Sequence, residues 1–64
     1  MRVKVAYDFE DNEYIAFVDK IPNISGFGPS EKDAILNLLY QAKEEDGFNK
    51  EVIIQLIEKM ENEN

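Results

Sequence analysis

With neither Cys nor His among its 64 residues, the chain has no disulfide, no thiolate metal site and no Cys nucleophile, and it lacks the commonest general base and metal ligand. Fourteen acidic residues against seven basic ones give a net charge of −7. That field repels phosphate backbones and attracts basic surfaces, so a nucleic-acid-binding protein suits it better than free nucleic acid, although acidity also serves plain solubility.

A chain this short makes one domain and buries only about 60% of the surface its unfolded form exposes, so oligomerisation or a partner would add stability. No apolar run approaches the roughly 18 residues of a membrane span. Met1-Arg2-Val3 leads into an alternating pattern rather than a signal peptide, and a cytoplasmic protein is expected.

Val3, Val5, Tyr7 and Phe9 alternate with Arg2, Lys4, Ala6 and Asp8, the period of a half-buried strand over about 2–9. Glu10 to Glu13 is a polar break suited to a hairpin loop, and the strand returns over about 14–19. There the alternation gives two apolar sets, Tyr14/Ala16/Val18 and Ile15/Phe17, so one set meets the helices and the other needs cover. Pro22 cannot donate to a ladder and is expected to end this strand or begin the turn. A short third strand follows over about 24–28, with Gly26 and Gly28 marking close backbone approach or unusual torsions.

Ser30 is a helix N-cap, with Asp33 three residues on giving a capping-box-like signature and Glu31 complementing the dipole. The first helix is predicted over about 31–45, with Ala34, Ile35, Leu38, Leu39 and Ala42 as its sheet-facing stripe. Leu36 and Tyr40 lie on a different flank. Asp46-Gly47 is expected to stop this helix. A second helix, capped by Asn49, is predicted over about 50–61 with Ile53, Leu56, Ile57 and Met60 as its stripe. The run Val52-Ile53-Ile54 could instead form a fourth strand, but the periodicity continues through Glu58-Lys59-Met60 and favours helix. The terminal Glu61-Asn62-Glu63-Asn64 reads as a frayed tail.

The uninterrupted run from Tyr14 to Leu38, about two-fifths of the chain, resembles the HicB-like antitoxin family. Its pattern is a Tyr-x-Ala strand, a Leu-Pro-Gly turn, then Gly-x-Ser/Thr and a helix beginning Glu-Glu-Ala. Tyr14, Ala16, Ile21, Pro22, Gly28, Ser30, Asp33 and Ala34 fall on that pattern without a gap. Asp19 stands where the family usually has Pro, and Asn23 where it has Gly, a mild change because Asn also tolerates a left-handed backbone. Family members often carry a C-terminal DNA-binding segment after the core. This chain ends at Asn64, so operator binding is not carried over, and a stand-alone core domain spanning 1–64 is expected.

Candidate chemistry is thin. The acidic patch Asp8, Glu10, Asp11 and Glu13 lacks the ligand spacing, central Gly and terminal Glu of a calcium loop, which spreads over about twelve residues. It reads better as a solvated loop or as a surface facing a basic partner. Gly26-Phe27-Gly28-Pro29-Ser30 has no Lys at its end and is too short for a phosphate-binding fingerprint. The resemblance implies part of an RNase H-like core, yet Asp8, Asp19 and Asp33 do not make the convergent carboxylates a two-metal nuclease needs, with ions about 4 Å apart. No catalytic residue, metal or cofactor is assigned.

Ile15, Phe17, Leu36, Tyr40 and Ile54 are the candidates for contacts between chains, their alternative being ordinary core. The expected architecture is α+β: a three-stranded antiparallel sheet packed by one helix, followed by a second short C-terminal helix. By resemblance, the function is that of a HicB-like antitoxin or a solitary relative: a homo-oligomer, dimer or higher, that occludes a small basic RNA-cleaving toxin of the HicA type. The competing reading is a stand-alone acidic inhibitor of phage or mobile-element type that mimics nucleic acid against another nucleic-acid-binding enzyme. A structural protein with no nucleic-acid connection is the third. Neither direct nucleic-acid binding nor membrane association is expected.

Overall fold

A computed structural model describes residues 2–62. Strands β1 (Val3–Asp8), β2 (Glu13–Val18) and β3 (Ile21–Gly28) are followed by helices α1 (Glu31–Glu44) and α2 (Lys50–Glu61). The sheet is antiparallel throughout, in the order β1-β2-β3, and both helices follow it in sequence, an α+β fold. The β-branched and aromatic alternation of β1 and β2 produces a hairpin in which Val5 lies opposite Ala16 and Tyr7 opposite Tyr14. Its loop is held by Asp8, whose Oδ1 accepts from the amides of Glu10 at 3.0 Å and Asp11 at 3.4 Å, and by Asn12 with a left-handed φ of 54°, a conformation Asn tolerates.

The core lies between one sheet face and α1. Ala16, Val18 and Ile24 from the sheet, Ala34, Leu38, Leu39 and Ala42 from α1, and Ile53 and Ile57 from α2 are all buried. Of the two apolar sets on β2, Tyr14/Ala16/Val18 therefore faces the helices. Gly26 and Gly28 let α1 come down onto β3: a Cβ on Gly26 would stand 2.2 Å from the Leu38 nitrogen and 2.3 Å from the Ala34 oxygen. Of the two roles expected for these glycines, close approach is the one realised, because neither has a positive φ.

Several local expectations are corrected. Pro22 does not end a strand; β3 begins at Ile21 and includes it, which is tolerated because β3 is a sheet edge. The tight turn before it is made by Lys20, φ 67°, rather than by Asn23, and a register shift between Phe17 and Val18 accommodates the change of direction. Gly47 is not a left-handed cap, since no glycine has positive φ; α1 stops at Glu44, where Glu45 turns to extended backbone with its amide donating to the Ala42 carbonyl.

The helix starts match expectation. Ser30 Oγ accepts from the Asp33 amide at 3.1 Å and donates to Asp33 Oδ2 at 2.9 Å, so the carboxylate holds the capping hydroxyl. Asn49 Oδ1 accepts from the Val52 amide at 3.2 Å, and Val52 to Ile54 lie in α2 rather than in a fourth strand. The backbone of α2 packs against α1 and no other element.

Candidate functional site

Both helices lie on one side of the sheet, which leaves the other side uncovered. Side chains alternate along a strand, so the register fixes what this open face carries. Lys4 lies opposite Phe17 and then Ser25; Ala6 lies opposite Ile15 and then Phe27; Asp8 lies opposite Glu13. The middle of the face is apolar, with Ile15 and Phe17 half-buried and Phe27 44% exposed. At its hairpin end the carboxylates of Asp8, Asp11 and Glu13 come within 4.8 Å of one another. At the opposite end Lys4 reaches Asp19 at 3.7 Å, an exposed pair that offsets its charge locally and contributes little to stability.

The structure thus brings two separately predicted groups onto one surface: Ile15 and Phe17 from the apolar candidates, and Asp8 and Glu13 from the acidic patch, with Asp11 at its edge. Glu10 is exposed in the same hairpin loop. The other three apolar candidates do not join them. Leu36 is half-buried and packs against the core from α1. Tyr40 and Ile54, 41% and 40% exposed, belong to the helical layer on the far side of the sheet.

Contacts within the chain occupy much of Tyr40. Its hydroxyl donates to Glu61 Oε2 at 2.6 Å, and Lys43 Nζ stands 5.7 Å from its ring centroid, a cation–π geometry. The hydrogen bond to Glu61, aided by desolvation and by the carboxylate's charge, raises the phenol above its ordinary value of 10.0.

Two features went unread in the sequence. Phe27 belongs to the open face beside Ile15, a placement visible in the parity of Ile24, Gly26 and Gly28, which leaves Phe27 on the opposite side. The second is an apolar groove of about 500 Å³ between the start of β1 and the two helices, lined by Val3, Ile35, Leu39, Phe48, Leu56 and Met60 among others. No periodicity within one element reveals it, because it exists only where three elements meet.

Among the described residues no helix is long and apolar enough to cross a membrane. No protein-family model matches the chain, and neither a curated protein nor a solved structure shows significant similarity to it.

Proposed function

We propose that this chain is a non-catalytic binding protein of the cytoplasm, a HicB-like antitoxin or a solitary relative of one, whose open sheet face covers and blocks a small basic RNA-cleaving protein. The observation that carries the reading is the union, on one helix-free face, of an apolar centre formed by Ile15, Phe17 and Phe27 with an acidic end formed by Asp8, Asp11 and Glu13. Apolar surface with a cluster of carboxylates at one end suits a protein partner that carries basic charge beside its own apolar contacts. Long-range attraction from a chain of net charge −7 speeds the encounter, and the apolar centre sets the residence time. Inhibition is then occlusion: the partner's basic, RNA-gripping surface is held against carboxylates instead of phosphates.

The test is co-expression with any small basic protein that a neighbouring reading frame encodes, followed by an RNA-cleavage assay on the purified partner. The chain should co-purify and suppress cleavage stoichiometrically. Phe17→Glu, which puts a charge at the apolar centre without touching the buried cluster, should abolish suppression while leaving the circular dichroism unchanged. Unaffected cleavage, or full suppression by Phe17→Glu, rejects the reading. Inhibition of a different nucleic-acid-binding enzyme through the same face would replace the antitoxin by the orphan inhibitor.

A further inference from the structure

The two edges of the sheet are treated differently. On β3, α1 closes over the strand and Asn37 Nδ2 donates to the Phe27 carbonyl at 2.5 Å. On β1 the backbone edge is left open, and the only protections it has are its shortness and the charge of Lys4. The strand contains no Pro, the sheet's irregularity lies between β2 and β3, and α1 packs chiefly over β3 and β2. An unpaired edge is a template for another strand whose charges complement its own.

The phase of the ladder says which groups are on offer. The Arg2 carbonyl accepts from the Asp19 amide at 3.4 Å, and directly bonded pairs recur every second residue along an antiparallel ladder. Arg2, Lys4, Ala6 and Asp8 therefore bond inward to β2, and the N–H and C=O groups of Val3, Val5 and Tyr7 point outward. We infer that the occupant of this edge is a second copy of the chain, pairing β1 antiparallel to β1 about a two-fold axis at Val5 to make a six-stranded sheet.

Three observations meet in that arrangement. First, β1 is polarised: Arg2 and Lys4 stand at its start and Asp8, Glu10 and Asp11 at or just past its end. Antiparallel pairing sets Arg2 opposite Asp8 of the second copy, twice, in a protein whose net charge of −7 would otherwise hold copies apart; a parallel arrangement would oppose like to like. Second, an axis at Val5 uses the strand's whole length, keeps the outward-pointing residues opposite one another, and places the helix-side rows of both copies on one face. Third, that face brings Tyr7 of the second copy opposite Val3, which lines the apolar groove. Tyr7 and Phe9 form an edge-on aromatic pair with centroids 4.8 Å apart, and they are 39% and 83% exposed. The aromatic pair of each copy is thereby carried to the groove of the other, giving both a role at one interface.

This dimer does not depend on the inhibitory reading: its Arg2–Asp8 and Ala6–Lys4 pairs border the open face, but its formation is tested on the full chain alone, with no basic partner present. Sedimentation should show a reversible dimer forming with rising concentration. In a chain without Cys, Val5→Cys should oxidise to a covalent dimer, because opposed residues of a bonded antiparallel pair have Cα atoms about 5.5 Å apart, within disulfide reach. Ala6→Cys, which faces Lys4 of the second copy, should not.

Ala6 is exposed, so Ala6→Lys and Ala6→Glu both spare the fold. They should separate in dimer affinity by at least severalfold in favour of Glu, because only the former opposes two ammonium groups. A chain that stays monomeric at high micromolar concentration, or whose groove takes a basic foreign segment in place of a second copy, overturns the proposal. So does preferential cross-linking of Ala6→Cys, or equal affinity of the two charge variants.

Discussion

Replacing Gly26 by Ala adds a single methyl group, and the structure says it has no room. The new Cβ would lie 2.2 Å from the Leu38 nitrogen, 2.3 Å from the Ala34 oxygen and 2.9 Å from the Asn37 carbonyl carbon. All three are main-chain atoms of α1, so no rotamer change relieves the clash. Ordinary contact begins at 3.4 Å, and going from 2.2 to 3.4 Å requires the helix to retreat by about 1.2 Å. That retreat loosens Ala34, Leu38 and Ala42 from Ala16 and Ile24 together. Overpacking in a closed core costs about 1–3 kcal/mol, and with rigid backbone on both sides the expected loss is at the upper end, about 3 kcal/mol. A domain of this length is stable by only about 3–10 kcal/mol.

Urea denaturation followed by far-ultraviolet circular dichroism measures the effect. With a slope near 1 kcal/mol per molar urea, usual for the smallest domains, the midpoint should fall by about 3 M, or the variant should be unfolded at the outset. Gly47→Ala is the matched control. Nothing lies within 4 Å of its would-be Cβ and its φ is not positive, so it should be neutral or stabilising by about 0.4–1 kcal/mol. A Gly26→Ala midpoint equal to the parent's, or a Gly47→Ala midpoint below it, would refute the close-approach argument.

Ser30→Ala removes the acceptor for the Asp33 amide and should cost about 1 kcal/mol, whereas Ser25→Ala, in β3, should cost less; chemical denaturation ranking them the other way rejects the cap. Tyr40 is raised above 10.0 by its bond to Glu61, so the stability it adds is complete below the ordinary tyrosine range and is lost as pH rises through its own, higher value. Ultraviolet titration should show a late-deprotonating component that Tyr40→Phe removes; a late component that survives Tyr40→Phe, or none at all, would count against the bond. The chain alone should not bind duplex DNA, because its seven basic residues are scattered among fourteen acids and form no stripe that would release counterions. Submicromolar, salt-sensitive anisotropy changes with its own promoter DNA at low salt would show otherwise.

Much of this fold is legible along the chain because its elements are short, regular and punctuated. Alternation places β1 and β2, Ser30 and Asn49 announce their helices, and of the two predicted stripes Ala34, Leu38, Leu39, Ala42, Ile53 and Ile57 are buried, Ile35 and Met60 are half-buried, and Leu56 is exposed at 37%. What sequence reading loses is decided by tertiary context. Lys20 takes the left-handed turn that Asn23 seemed suited for, since chain direction at the bulge outweighs a side chain's intrinsic tolerance. Pro22 is accepted into β3 because that strand has an unpaired side, which no local signal reveals. For the candidate surface, the parity of Ile15 and Phe17 gives a face, but only the register shows that Asp8 and Glu13 share it. Tyr40 and Ile54 look equally interfacial in sequence, yet Tyr40 is held by Glu61.

The attachment of α2 to α1 alone bears on how the molecule breathes. A helix of 12 residues is marginal in isolation, and this one is anchored by two buried side chains, Ile53 and Ile57, while every strand and α1 share the larger core. Its amide protons should therefore exchange with solvent through openings that leave the sheet and α1 protected. Each such opening lifts one wall of the groove beside Val3. The width of that groove is then a fluctuating quantity, which an occupant narrows by binding and so stabilises α2 in return.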